Sequence, residues 1–180
     1  KYGLYLFLDG ARLGYGLAAP DNDLTLPEIA ALCDVFYIGG TKVGALFGEA
    51  VVIKNPELAQ DFRYLIKQNG GMLAKGRLLG LQFDALFTDG LYQVISAHAI
   101  AMAEKLREAF TAKGYTYLAP NRTNQIFVIV PDAHLAKISE QFEYSYDQRI
   151  DATHSCVRFC TGWATREENV DALIRCVEKL

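Results

Sequence analysis

Lys42 lies in a glycine-bounded turn, Gly39-Gly40-Thr41-Lys42-Val43-Gly44. Little side-chain bulk surrounds it, and glycines let a ligand approach the backbone closely. A lysine amine forms a Schiff base with a carbonyl compound when its surroundings depress its pKa. Most loop lysines are solvated surface charges, so this turn does not decide the chemistry alone. It is not a phosphate-binding P-loop, because Val43 follows Lys42 and the required glycine spacing is absent. Gly10, Gly14 and Gly16 do not make the GxGxxG dinucleotide pattern either. Asp9 is the second candidate. It ends an apolar run, where an unpaired carboxylate is costly, so a cation should meet it. Two cations fit: Arg12, close by in sequence, and the protonated ring nitrogen of a bound pyridine. The residues alone leave both open.

The elements around these residues alternate between strand and helix. The aromatic apolar run at residues 2–8 reads as a buried strand ending at Asp9. Residues 10–16 read as a glycine-punctuated turn and 20–22 as a loop. Thr25 is a helix N-cap, with Pro27 and Glu28 in the first turn of a helix through Leu32. Residues 35–38 read as a short buried strand and 50–53 as another, stopped by Asn55-Pro56. This is an α/β pattern, and in open α/β sheets ligands sit beyond the carboxyl ends of strands. Asp9 and Lys42 both stand at such ends, which puts a carboxylate and an amine on one rim. Residues 57–67 read as a helix broken by Gln68-Asn69-Gly70-Gly71, and 72–87 as a second helical stretch. After a break at Asp89-Gly90, residues 91–113 form the longest predicted helix, with Gly114 as its C′ residue. Strands are predicted at 115–119, 125–130, 144–150 and 155–160, with a helix at 131–142. A terminal amphipathic helix, 167–180, carries Val170, Leu173, Ile174 and Val177 on one face. The division this implies is a larger-domain portion at 1–88 and a small α+β domain at 89–180. Opening inside a core strand, without an initiator methionine, points to a longer parent polypeptide that has lost something upstream.

Leu8-Asp9-Gly10-Ala11-Arg12-Leu13 is followed by a turn lysine 33 residues after Asp9, then by Gly70-Gly71-Met72 and Val157-Arg158-Phe159. In order and spacing these residues resemble the threonine aldolase and β-eliminating lyase family. These are fold-type I, aspartate-aminotransferase-like enzymes dependent on pyridoxal 5′-phosphate. The resemblance covers essentially the whole chain and corresponds to the second half of such an enzyme, which implies a missing N-terminal half of the same polypeptide. It implies part of a cofactor-binding large domain followed by a small α+β carboxyl-terminal domain. It further implies that Lys42 forms the Schiff base with the cofactor, that Asp9 pairs with the pyridinium nitrogen and that Ala11 packs on one face of the ring. Thr41 would contact the cofactor, and Lys67 and Lys75 would reach its phosphate across a subunit interface. Arg12 and Arg158 would hold the substrate α-carboxylate, a task suited to the planar guanidinium fork. The implied reaction is cleavage of a threonine-like β-hydroxy-α-amino acid to glycine and an aldehyde. The alternatives are β-elimination from an amino acid, or a fragment that is an inactive or oligomerising module. A homodimer or homotetramer is implied as well. Better-known aldolases tend to have Ser-Lys where Thr41-Lys42 stands, and arginine just after Gly-Gly-Met, where this chain has Leu73 and then Lys75.

Composition narrows the rest. The 180 residues are 51% hydrophobic and 22% charged, an ordinary globular balance able to bury a core. A net charge of −3 offers no basic field for nucleic acid or anionic lipid. No apolar run reaches the length of a membrane span. Cys33, Cys156, Cys160 and Cys176 form no CxxC pair and read as reduced cysteines of a cytoplasmic protein. His154, Cys156 and Cys160 lie close together but read as part of a strand rather than a metal site. His98 and His134 fall on predicted helices as surface or packing residues, and His154 precedes the arginine strand.

Overall fold

The computed structural model describes residues 2–180, and the opening apolar run is where it departs furthest from the sequence expectation. The strand β1 is only Phe7–Leu8, and the residues before it are exposed, Leu4 at 82% and Tyr5 at 60%. The reason is positional. β1 is an edge of its sheet, and among the described residues no neighbour covers its outer side. An apolar run reports that burial is favourable; it does not supply the partner.

The chain divides into two compact units. The first takes in the chain to Leu17 together with Asn22–Ile95. Its sheet has the order β1-β2-β3, with β2 at Val35–Gly39 and β3 at Glu49–Ile53. β1 and β2 are parallel, with Phe7 opposite Val35 and Leu8 opposite Phe36; β2 and β3 are antiparallel. Helix α1, Leu13–Leu17, occupies part of the stretch predicted as a turn. Its two glycines, Gly14 and Gly16, are poor helix formers, but the helix has tertiary support because the Gly14 N–H donates to the Tyr92 hydroxyl at 3.1 Å. Helix α2, Leu26–Leu32, begins where predicted: the Glu28 carboxylate accepts from the Thr25 N–H at 2.7 Å.

The helix predicted at 57–67 is two helices, α3 at Pro56–Ala59 and α4 at Phe62–Gln68. Asp61 separates them with φ 57°, a left-handed conformation that aspartate tolerates better than most residues. The next helix, α5, runs Arg77–Phe87, starting later than residue 72 because the glycine-rich stretch before it continues as turn through Gly76. Asp89 has φ 50° in a single 3₁₀ turn, Thr88–Gly90, ahead of α6, Leu91–Ala112. Gly114 has φ 83°, as a C′ glycine should.

The second unit is Ser96–Leu180 with Ala18–Asp21. Its sheet has the order β4-β5-β7-β6: Thr116–Tyr117, Gln125–Pro131, His154–Cys160 and Ser145–Arg149, all antiparallel. Along β5 burial alternates: Ile126, Val128 and Val130 are buried, and the residues between them are half-buried. The buried side packs on Met102, Leu106 and Phe110 of α6 and on Val170, Leu173 and Val177 of α8, Glu167–Glu178. Helix α7 is Asp132–Ile138, ending before residue 142 in a turn at Ser139–Gln141. No helix among the described residues is long and apolar enough to cross a membrane.

Candidate functional site

Parallel pairing of β1 with β2 brings their carboxyl ends to one rim, and the two predicted residues follow from it. Asp9 is the first residue after β1, and Lys42 follows β2 on a tight turn. Asp9 is exposed rather than buried, so its partner is not dictated by desolvation. Its Oδ1 accepts the Ala11 N–H at 3.0 Å and the Tyr37 hydroxyl. The Tyr37 hydrogen bond is the chief cause that holds the Asp9 carboxyl below its usual range. The Ala11 N–H adds to it, and the positive charges of Lys42 and Arg12 act in the same direction. The same bond raises the Tyr37 phenol. Arg12 therefore influences Asp9 through its charge, yet it makes no ion pair among the described residues.

The backbone under Lys42 is anchored from several sides. The Val43 and Ala45 N–H groups donate to the Gly40 carbonyl at 2.9 and 3.0 Å, and Val43 is fully buried. The Gly40 N–H donates to Glu49 Oε2 at 2.6 Å, and the Tyr15 hydroxyl donates to the Lys42 carbonyl. Tyr92 ties β2 to α1, donating to the Gly39 carbonyl at 2.9 Å while accepting from Gly14; burial pushes its phenol up to about 12. The chains approach too closely for any side chain at two glycines. A Cβ on Gly10 would lie 1.6 Å from the Tyr37 carbonyl oxygen, and one on Gly39 would lie 2.4 Å from that of Ala11. The Lys42 amine itself is on an exposed residue, at a place set by a rigid support.

The remaining predicted residues are distributed as follows. Ala11 is half-buried beside Asp9, and Thr41 is exposed, with Oγ1 3.4 Å from the Gly48 carbonyl. Lys67 closes α4 and Lys75 lies in the turn before α5; both are exposed and hydrogen-bond neither Asp9 nor Lys42. Arg158 belongs to the second unit, opposite Phe127 of β5 and Ser145 of β6. It does not simply extend into solvent. Its Nε is buried and has no hydrogen-bond partner, and its guanidinium carbon lies 5.9 Å from the centre of the Phe127 ring. It lines a cavity of about 550 Å³ with Tyr144, Ser145, Cys160 and Thr161. His98 and His134 accept packing roles: a ring nitrogen of His98 lies 2.7 Å from the Thr165 carbonyl, and His134 Nδ1 lies 2.7 Å from the Tyr115 hydroxyl.

Sequence reasoning missed Tyr37, together with the supports Tyr15, Tyr92 and Glu49. A signal for Tyr37 existed. In 35–38 the alternation that buries Phe36 and Ile38 turns Tyr37 to the other face, and parallel register then sets it beside Asp9. No local pattern signals Tyr15 or Tyr92, because both act over long sequence separations.

Comparison with solved structures places the fold first. The chain superposes on serine palmitoyltransferase from Sphingomonas wittichii with a TM-score of 0.67 at 16% identity, over 98% of this chain and 47% of that one. With its other structural neighbours this makes the architecture that of the fold-type I pyridoxal-phosphate enzymes. No protein-family model matches the chain. Two similar proteins carry the relationship further. Threonine aldolase from Leishmania major has a TM-score of 0.96 at 42% identity, over 99% of this chain and 52% of that one. A low specificity L-threonine aldolase from Pseudomonas sp. strain NCIMB 10558 is 31% identical over 177 residues, 96% of this chain and 49% of that protein. The chain is similar to threonine aldolases and matches their carboxyl-terminal half, spanning about half the length of these relatives.

Proposed function

We propose that the protein is a pyridoxal-phosphate-dependent lyase that cleaves a threonine-like β-hydroxy-α-amino acid to glycine and an aldehyde. Lys42 is the lysine to which the cofactor is joined, and Asp9 is the partner of its ring nitrogen. The observation that carries this reading is on the rim of the first sheet: Asp9 directly follows β1 and Lys42 follows the parallel strand β2 on a tight turn, so a carboxylate and an amine come from the same ends of paired strands.

The residues fit the group. Asp9 is exposed and held in its charged form, and among the described residues its Oδ2 accepts from no donor. An open anionic oxygen suits a protonated pyridine nitrogen. When bound, pyridoxal phosphate supplies the electron sink that stabilises negative charge at the substrate Cα. By remaining charged, Asp9 would hold a proton on the ring nitrogen. Lys42 holds its amine at one point on the rim because its turn is fixed by Gly40, Val43 and the Tyr15 hydroxyl. Ala11 presents a methyl group beside Asp9 that would pack on the ring. Arg12 and Arg158 are each proposed, from their own surroundings, to bind a carboxylate: both are half-buried guanidiniums without an ion pair among the described residues. Thr41, Lys67 and Lys75 are proposed as further cofactor contacts, the two lysines for its phosphate. Association of the protein with copies of itself is supported by exposed Leu78 and Leu81 on α5 and Leu91 and Val94 on α6.

The test is chemical. The protein is incubated with pyridoxal phosphate, reduced with borohydride and digested, and the modified lysine is mapped by mass. The expected site is Lys42, with no labelling in Lys42→Ala; a label confined to Lys67, Lys75 or another lysine, or no label, overturns the assignment. With a threonine-like substrate, glycine and an aldehyde are the expected products, and pyruvate-type oxo acid with ammonia would replace aldol cleavage by β-elimination.

A further inference from the structure

Tyr37 stands beside Asp9 with its phenol turned onto the carboxylate. Extending the register of Phe7 with Val35 and Leu8 with Phe36 makes Tyr37 the direct neighbour of Asp9. Directly opposite residues of parallel strands share a face, so Phe7, Asp9 and Tyr37 lie on one side of the sheet, and the Phe7 and Tyr37 rings meet at 6.1 Å. Phe36 and Ile38 are buried on the other side.

Both donors converge on one oxygen. Oδ1 takes the Ala11 N–H, from the turn after β1, and the Tyr37 hydroxyl, from β2, while Oδ2 accepts from nothing among the described residues. The terminal torsion of an aspartate is broad, and a single donor leaves the carboxylate swinging about it. Two donors from separate elements fix the plane, and with it the direction of Oδ2.

We propose that Tyr37 is a positioning residue for Asp9: with the Ala11 N–H it clamps Oδ1 and thereby aims Oδ2 at the protonated ring nitrogen of the cofactor. This rests on the reading of Asp9 given above as the partner of that nitrogen. Tyr37 touches neither substrate nor reacting atoms; it acts through Asp9. The phenol also opposes protonation of the carboxylate, consistent with the direction in which the Asp9 carboxyl is shifted.

The experiment compares two ligands on three proteins. Affinity is measured for pyridoxal phosphate and for its analogue in which the ring nitrogen is replaced by CH, on the parent protein, Tyr37→Phe and Asp9→Ala. The phenylalanine keeps the ring and removes only the hydroxyl. Tyr37→Phe should weaken the natural cofactor about tenfold, the scale of one hydrogen bond to a charged group, and leave the analogue unchanged. Asp9→Ala should abolish the parent's preference for the nitrogen-containing ligand. Equal weakening of both ligands by Tyr37→Phe, or no weakening, makes Tyr37 an ordinary packing residue and overturns this inference alone. If Asp9→Ala leaves the preference intact, the reading of Asp9 falls, and the role of Tyr37 falls with it. A cofactor-free measurement stands beside these: the carbon-13 titration of the Asp9 carboxyl should move up in Tyr37→Phe, and an unmoved titration would overturn the clamp.

Discussion

At the scale of single residues, Asp9 and Arg158 show what sequence can and cannot say about a charge. The expectation that Asp9 needs a cation rested on its place after an apolar run, but the residue is exposed and two uncharged donors occupy Oδ1. Its position on the rim was legible, because strand ends are; its partner was not, because Tyr37 is 28 residues away and meets it only through sheet register. Arg158 presents the opposite case. A strand arginine between Val157 and Phe159 reads by itself more readily as a solvent-facing side chain, and only the fold reveals a buried Nε with no acceptor among the described residues. An unsatisfied buried donor costs about 1–3 kcal/mol. Arg158→Met, which keeps the length of the side chain and removes the donors, should therefore leave the protein as stable or make it more stable by up to about 1 kcal/mol in urea unfolding. If the arginine is kept for a carboxylate ligand, the same variant should lose amino-acid binding, seen as a raised KM. Destabilisation by more than about 1 kcal/mol would mean that Arg158 is held for the fold instead.

At the scale of elements, the best-read segments were those whose signal is local. α2 carries its own capping box, α6 ends at a left-handed glycine, and β5 alternates as a half-buried strand must. The misread ones depend on something elsewhere in the chain: α1 on a tyrosine hydroxyl, the split between α3 and α4 on one aspartate with positive φ, and residues 2–6 on a cover that no other described residue provides. The β6–β7 hairpin has a local signal that composition hides. Asp151 Oδ1 accepts the Thr153 and His154 N–H groups at 2.7 and 2.8 Å, closing the turn. The Thr153 N–H foremost, and after it the His154 side chain, lower its carboxyl from 3.8 to about 2. A carboxyl whose pKa is depressed by folding contributes stability that is complete above its unfolded value and is lost as pH falls through its folded one. The contribution of Asp151 should thus be present at about pH 4 and largely gone near pH 2. Asp151→Asn keeps an acceptor oxygen and removes the titration, so its stability should fall less steeply than the parent's between those two pH values. Equal slopes in urea unfolding at a series of pH values would remove Asp151 from the acid response.

At the scale of the whole molecule, the sequence pattern changes from α/β to α+β, while the fold divides into two compact units whose interiors differ in a way that no pattern shows. The second unit has a complete interior. All fourteen buried residues of its principal cluster, from Met102 to Val177, fall within Ser96–Leu180, and they come from two helices packed on one side of a four-stranded sheet together with α7. Burying each large side chain of that kind contributes about 1.5–3 kcal/mol, so one closed cluster can offset the chain entropy of a small domain. Among its described residues the first unit has no equivalent cluster: Leu4, Tyr5, Leu6, Phe7, Leu78 and Leu81 are all exposed, and a three-stranded sheet with an open parallel edge is a template for association. Sequence patterning cannot show this difference, because the apolar content of both halves predicts burial and only the fold shows which half finds it internally. Residues 96–180 produced alone should accordingly unfold in urea as a single cooperative transition, with a slope of about 1 kcal/mol per molar. Coincident curves by far-ultraviolet circular dichroism and by Trp163 fluorescence would be the signature of one folding unit. Residues 2–95 produced alone should associate, with an elution volume that shifts with concentration and recovers when Leu6 and Leu81 are replaced by lysine. A broad, non-cooperative melt of 96–180 would show that its cluster, closed as it is, still draws its stability from the rest of the chain.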